Sequence, residues 1–146
     1  MINQFKNEYF FLSNFYETPV KYDGLTYSNN EAAFQAQKTM DMTVRQRFTQ
    51  MDPIEARNEG KNLKLRSDWE EIKDKIMYDI CNAKFKQNPE LMDRLVFTGK
   101  RPLEEGNHWN DRYWGTVNGV GDNKLGEILM KIRSNEISKR DKEWDR

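Results

Sequence analysis

The stretch Tyr27–Lys38, YSNNEAAFQAQK, decides the architecture because a strand pattern gives way there to a helix pattern. Ser28 and Glu31 are spaced as in a capping box, which predicts a helix from about residue 30 to about residue 39. Glu31, Gln35 and Lys38 share one face of that helix, since i, i+4 and i+7 positions align. Apolar side chains cover most of its remaining surface, so we expect a buried helix whose polar stripe faces water or a pocket.

The sequence on both sides of this stretch indicates the other elements. Alternating residues around Asp23-Gly24 predict a β-hairpin with a type I′ turn. Capping boxes and apolar repeats predict helices in TVRQRFTQM, DPIEARNEGK, the segment from Trp69 to Asn88-Pro89, ELMDRLVFTG and KLGEILMKIR. The predicted fold is an α+β, predominantly helical single domain with a short N-terminal β-hairpin. We assign residues 1–133 to this domain and 134–146 to a charged C-terminal tail, solvated or frayed.

Composition narrows the function classes. The 146 residues are 36% hydrophobic and 12% aromatic, and the regular apolar spacing argues against disorder. The 24 basic and 24 acidic residues balance, unlike the strong overall basicity of many DNA-binding domains. Cys81 is the only cysteine and His108 the only histidine, so neither an intrachain disulfide nor a His/Cys-rich zinc site is expected. With no long apolar run, we expect a soluble, cytoplasmic protein.

Two segments carry candidate chemistry, each with a structural alternative. Glu31 is either the capping-box carboxylate or a carboxylate held in a partly dry pocket, where its pKa suits proton transfer. The turn from Gly119 through Gly121 to Asn123 feeds a helix N-terminus, which suits a phosphate, although it is also consistent with an ordinary capped loop.

Aromatic and acidic residues elsewhere extend the candidate site. Arg66 and Trp69 begin the longest predicted helix, where Trp69 is either a core residue or a stacking platform for a base. Asp111 and Trp114 lie in a long irregular segment. An ordered loop of this length is usually functional. His108, in the same segment, is expected to be a bystander. Carboxylates, stacking aromatics and phosphate-binding groups together suit cleavage of a ribose–base bond through an oxocarbenium-like transition state.

Several motifs together resemble the NADAR family, also called the YbiA-like family. They are, in order, FLSNFY, YSNNEAAFQAQK, RSDW, AKF, NDRYWG and GDNKLGEILMKIR. The resemblance runs from about Phe5 to about Arg133. It implies a mainly helical α+β domain with N-glycosidase activity. Some members resemble enzymes that hydrolyse ribosylamino-pyrimidine phosphates of riboflavin synthesis, and others resemble glycohydrolases that remove ADP-ribose from guanine in DNA.

The resemblance also implies which residues act. The family's essential glutamate, tryptophan and aspartate correspond to Glu31, Trp69 and Asp111, which we therefore expect to be catalytic and to converge on one pocket. The matching or neighbouring positions expected to bind ligand are Asn14, Phe15, Gln35, Lys38, Arg66, Trp114, Gly119, Gly121 and Asn123. Lys61 follows Gly60 where family members commonly have arginine, which loses bidentate anion binding at that position.

The leading hypothesis is an N-glycosidase of a phosphorylated N-riboside of the riboflavin-intermediate type. The alternatives are an ADP-ribosyl glycohydrolase acting on guanine in DNA, and a module that binds ADP-ribose or a nucleotide without cleaving it. No cofactor or metal is expected. DNA enters only as a modified substrate, no membrane is involved, and the oligomeric state stays open.

Overall fold

The computed structural model describes residues 1–144, whose Cα positions form two compact units. The central unit is Asn14–Gln87, and the terminal unit combines residues 1–13 with 88–144. Of the charged tail assigned from the sequence, Asp145 and Arg146 lie outside the described residues. Each unit has its own buried apolar residues.

The central unit contains the hairpin and four helices. Strands β1 (Glu17–Tyr22) and β2 (Leu25–Asn29) pair antiparallel. Asp23 and Gly24 join them with positive φ angles of 49° and 89°, as the predicted type I′ turn requires. The helices are α1 (Asn30–Ala36), α2 (Met42–Arg47), α3 (Pro53–Gly60) and α4 (Trp69–Gln87).

The core of the central unit forms where α1 packs against both strands and against α3 and α4. Its most deeply buried apolar side chains include Val20, Tyr27, Ala32, Ile80 and Phe85. The predicted buried helix is therefore confirmed: α1 lies in the middle of this core, and its position fixes where the polar stripe points.

Two predicted caps are wrong by one or two residues. The side chain of Asn29, not Ser28, accepts the Ala32 N–H at 2.8 Å and caps α1. The Ser28 hydroxyl donates to the Thr49 carbonyl at 3.1 Å instead. Helix α2 likewise begins with Asp41 as its cap, before the predicted Thr43. At α2 aspartate is a better cap than threonine, whereas at α1 the two candidates are equally good caps and Ser28 is engaged elsewhere.

The terminal unit holds a 3₁₀ helix (Asn7–Leu12), α5 (Pro89–Phe97), a long irregular segment and α6 (Lys124–Trp144). The tail predicted beyond Arg133 to be solvated or frayed is largely exposed over residues 134–144 but is not frayed, because α6 continues through them. Arg140 supports this extension with ion pairs at 2.7 Å to Glu136, one turn back, and to Asp93 of α5. The 3₁₀ helix lies in an aromatic stretch where no helix was predicted.

The predicted fold class is confirmed: the described residues are mainly helical and carry one antiparallel hairpin near the N-terminus. Across residues 1–144, each helix is too short or too polar to cross a lipid bilayer.

Candidate active site

The polar stripe of α1 is half-buried and internally connected. The Gln35 side-chain amide donates a hydrogen bond to the Glu31 carboxylate over 3.0 Å. Gln35 is only 6% exposed, whereas Glu31 and Lys38 are half-buried. Burial lowers the pKa of Lys38, the Glu31 carboxylate opposes that change, and Lys61 adds to it. Glu31 is therefore an oriented carboxylate with a cation in its electrostatic range.

Asn14 fixes the start of the stripe rather than reaching outward. Its backbone carbonyl accepts the Glu31 N–H at 3.1 Å, and its side-chain oxygen accepts from Asn30 at 3.1 Å. Its own amide nitrogen lies 3.4 Å from the Met77 sulfur. Since Asn14 is buried, we assign it the role of holding the first turn of α1. Its predicted contact with a ligand stays a prediction.

Helix α3 presses on the stripe at Gly60. A Cβ at this position would lie 1.9 Å from the side-chain oxygen of Gln35. That oxygen is buried and has no hydrogen-bond partner, so the amide is aligned by its nitrogen alone. Glycine is thus required by the close approach of α3 to Gln35, and this contact keeps Gln35 directed at Glu31.

The beginning of α4 is attached to the end of the stripe. The Arg66 N–H donates to the Lys38 carbonyl at 2.8 Å. The guanidinium of Arg66 is engaged by Asp68 at 2.6 and 3.1 Å. Trp69 is 6% exposed and packs on Phe34, with ring centroids 5.1 Å apart. Arg66 and Trp69 therefore support the stripe from beneath, and a role in contacting ligand stays a prediction for both.

Sequence reasoning missed Arg57 of α3. Its guanidinium carbon lies 5.5 Å from the ring centroid of Phe15, a predicted ligand-binding residue. The Arg57 Nε is buried and has no hydrogen-bond partner. The available signal was the spacing of Arg57 and Gly60, which are three residues apart on one helix face.

Asp111 organises the irregular segment of the terminal unit. Its Oδ1 accepts the N–H groups of Tyr113 at 3.0 Å and Trp114 at 2.9 Å. The Asn107 side chain brackets it, accepting the Asp111 N–H and donating to the Asp111 carbonyl. Within residues 1–144, no donor is hydrogen-bonded to Oδ2. One oxygen of Asp111 is thus structural, and the role of Asp111 in contacting substrate stays a prediction.

The turn before α6 has a structural explanation. Gly119 lies in a tight turn at φ 79°, between the paired residues Val117 and Val120. The amide of Asn123 spans the loop, accepting the Glu105 N–H and donating to the Leu103 carbonyl. A side chain at Gly121, where φ is 150°, would meet the Gly115 carbonyl at 2.4 Å.

The N–H groups of residues 122–125 in this turn donate to the carbonyls of residues 112–115. A phosphate at this helix N-terminus would have to displace those bonds. We therefore leave Gly119, Gly121 and Asn123 out of the site proposed below. For Trp114, contact with a ligand stays a prediction.

Three other features of the chain could suggest a functional site. The terminal unit has a groove of about 510 Å³ whose lining includes Tyr9, Arg94 and Arg101, and none of the predicted site residues lines it. His108 is exposed and packs edge-on against Trp109. Among residues 1–144, no three His, Cys, Asp or Glu side chains are grouped as a metal centre requires.

Comparison with known proteins gives a family and a fold. The NADAR domain matches residues 2–136. The chain is 39% identical to N-glycosidase YbiA of Shigella boydii over 131 residues, covering 87% of this chain and 81% of that protein. It is 34% identical over 127 residues to a riboflavin biosynthesis protein of Vibrio vulnificus, covering 84% of this chain and 34% of that protein. The NMR structure of Escherichia coli YbiA aligns with a TM-score of 0.83 at 33% identity, covering 96% of this chain and 89% of that one.

Proposed function

Since the chain belongs to the NADAR family and is an N-glycosidase, we propose that it hydrolyses the N-glycosidic bond of a small phosphorylated N-riboside, with Glu31 as the catalytic carboxylate. The observation that carries this proposal is the half-buried Glu31 carboxylate, oriented by Gln35 at 3.0 Å. Such a group is suited to proton transfer because its orientation is fixed before substrate arrives.

The chemical step needs one base and one positioned water. Glu31 takes a proton from the water that attacks C1′ of the ribose, while the C1′–N bond breaks and its electron pair goes to the nitrogen. The proton that Glu31 took from the water passes to the leaving nitrogen, which restores the carboxylate, and the sugar leaves as a ribose phosphate with the water oxygen bonded to C1′. Positive charge develops on the ribose ring as the bond lengthens, and the carboxylate stabilises it.

Lys38 supplies the opposite charge at the same stripe. It lies seven residues from Glu31, one turn beyond the end of the hydrogen-bonded pair, and it is half-buried. A lysine in this position attracts the phosphate of the substrate by its positive charge. Trp69 and Asp111 stay predictions, the first as a stacking residue and the second as an acceptor of ribose hydroxyl hydrogens through Oδ2.

A small substrate is supported by two observations. One relative is named a riboflavin biosynthesis protein, and the pathway name points to free metabolites. The chain also has no net charge, whereas affinity for DNA depends largely on neutralising phosphates. Both observations favour the free N-riboside over ADP-ribosylated DNA.

The test is to incubate the protein with a ribosylamino-pyrimidine phosphate and, separately, with DNA carrying ADP-ribosylated guanine. Mass spectrometry detects the released base, ribose phosphate or ADP-ribose, and the Glu31→Gln protein identifies release that depends on the site. We expect release from the small N-riboside only. Release from the modified DNA alone would replace the proposed substrate, and release from neither would overturn the proposal.

A further inference from the structure

Among residues 1–144, Arg57 forms neither an ion pair nor a hydrogen bond through its guanidinium. Its buried Nε has no hydrogen-bond partner, and its guanidinium carbon lies 5.5 Å from the ring centroid of Phe15. No carboxylate in the part of the chain described here, residues 1–144, forms an ion pair with it. Burying a donor without an acceptor destabilises a folded protein, so stability of the fold does not explain this arginine.

The two nitrogens at the end of the Arg57 side chain are differently placed. No acceptor among residues 1–144 takes a hydrogen bond from either, yet neither belongs to the buried unpartnered atoms. They are therefore not fully buried, whereas the Nε is, and the guanidinium carbon lies over the Phe15 ring. This arrangement fixes the side chain and presents a pair of parallel donors outward.

Two sets of contacts locate Arg57 beside the Glu31 stripe. Phe15 directly follows Asn14, whose carbonyl accepts the Glu31 N–H at 3.1 Å. On α3, Gly60 lies one turn beyond Arg57 and presses on Gln35, the residue that donates to Glu31. Both routes remain inside the central unit. Arg57 is thus connected to the catalytic carboxylate through its neighbours on two sides.

The charges around the stripe favour an anion. Lys38 and Lys61 act on each other electrostatically, so Lys61 also belongs to this region. On α3, the carboxylate of Glu59 forms its ion pair with Arg47, at 3.6 Å, and not with Arg57. Lys38 and Lys61 thus bring positive charge to the region of the stripe's carboxylate, which Arg57 adjoins through α3.

We propose that Arg57, stacked on Phe15, forms a phosphate-binding subsite with its two terminal nitrogens, which hold the phosphate of the N-riboside. The inference rests on the proposed function, because it names the residue that recognises the phosphate of that substrate. A paired, planar donor set matches two phosphate oxygens, which a single lysine does not. Arg57 offers the bidentate geometry that the chain lacks at Lys61.

The test uses ribose 5-phosphate and ribose as probes in titration calorimetry. Wild type is expected to bind ribose 5-phosphate at least tenfold more tightly than ribose. Arg57→Gln is expected to weaken ribose 5-phosphate binding by roughly 10- to 100-fold, the usual worth of hydrogen bonds to a charged group. Its binding of ribose should not change. Arg47→Gln, the same charge change on the neighbouring helix α2, is expected to behave as wild type.

A second variant guards against loss of folding. Arg57→Met keeps the stem against Phe15 and removes the unpaired Nε–H, so its melting temperature should equal or exceed that of wild type. It should lose the phosphate preference as Arg57→Gln does. Unfolding of both variants would show that Arg57 serves the fold and would overturn the inference.

The inference and the proposed function fail in different ways. If both Arg57 variants retain the full preference for ribose 5-phosphate, or if wild type has none, the subsite is refuted even when the enzyme still releases base. If the preference depends on Arg57 but no N-riboside is cleaved, the subsite stands and the proposed reaction fails.

Discussion

The carboxylates of Glu31 and Asp111 are held in contrasting ways. Asp111, in the terminal unit, accepts hydrogen bonds at Oδ1 from two backbone N–H groups at 3.0 and 2.9 Å. Glu31, in the central unit, accepts a hydrogen bond from the side-chain amide of Gln35, with 3.0 Å between nitrogen and oxygen. Backbone donors make a carboxylate part of the loop that surrounds it. At Glu31 the donor is a side chain one helical turn away, and this hydrogen bond aligns the carboxylate along the polar stripe of α1.

The largest expected effect separates these two roles. Glu31→Gln retains an oxygen that accepts from Gln35 but cannot take a proton. Turnover should fall by roughly 10²- to 10⁴-fold while the melting temperature stays near that of wild type. Steady-state rates and thermal unfolding measure the two effects on the same protein. Glu71→Gln, an identical change at an exposed position of α4, serves as the control. Wild-type turnover in the Glu31 variant would remove Glu31 from the mechanism.

Substitution at Asp111 should show the opposite balance. Asp111→Ala leaves the N–H groups of Tyr113 and Trp114 without their acceptor, which costs about 1–3 kcal/mol of unfolding free energy. Asp111→Asn keeps an oxygen in place and should lose much less. Denaturant unfolding of both variants gives the difference. An alanine variant as stable as wild type would show that Asp111 does not organise the loop.

Gly60→Ala tests whether the orientation of Glu31 depends on α3. Alanine normally stabilises a helix relative to glycine, but here its Cβ would lie 1.9 Å from the Gln35 oxygen. Gln35 must move, and turnover should fall on the order of tenfold, or about 1.4 kcal/mol. In a Gln35→Ala background the same change should have little further effect, as a double-mutant cycle would reveal. Additive losses would mean that Gly60 acts independently of Gln35.

The smallest expected effect concerns Lys84, a buried charged side chain of the central unit that lies outside the polar stripe. Lys84 is 1% exposed, and burial lowers its pKa to about 8 from the ordinary 10.5. Between these values the unfolded chain binds more protons than the folded one, so stability rises with pH. From pH 8 to pH 9 the gain should be about 1 kcal/mol relative to Lys84→Met.

Denaturant unfolding at the two pH values measures this gain. The comparison with Lys84→Met is needed because burial raises the pKa of Cys81 to about 12, which lowers stability as pH rises above 9. The methionine variant retains Cys81 and removes only the lysine. Identical slopes for both proteins would show that Lys84 stays protonated when folded.

The sequence predicted the elements better than the contacts. Asp52 and Pro53 marked the start of α3, and Asp23-Gly24 marked the hairpin, because these signals act within a few residues. The cap of α1 was misplaced because Ser28 and Asn29 are both good caps, and a tertiary bond from Ser28 to Thr49 decided between them. Helix α6 continues beyond its apolar repeat, because the ion pairs of Arg140 support the polar residues that follow.

The candidate site was predictable in part for the same reason. The alignment of Glu31 with Gln35 follows from helical spacing, whereas the hydrogen bond between them became visible only in the structure. The spacing of Arg57 and Gly60 placed both on one helix face, but the contact of Arg57 with the Phe15 ring was not predictable, since no spacing rule joins residues so far apart in the chain. The convergence of Asp111 on Glu31 stays a prediction.

The most direct test of the account is a crystal structure of the Glu31→Gln protein with an uncleaved phosphorylated N-riboside. The variant should bind substrate without consuming it, because the lost interaction belongs mainly to the transition state. We expect C1′ of the ribose beside the residue-31 side chain, with the phosphate on Arg57 or Lys38. Substrate bound only in the groove lined by Arg94 and Arg101 would contradict the assignment of the α1 stripe as the active site.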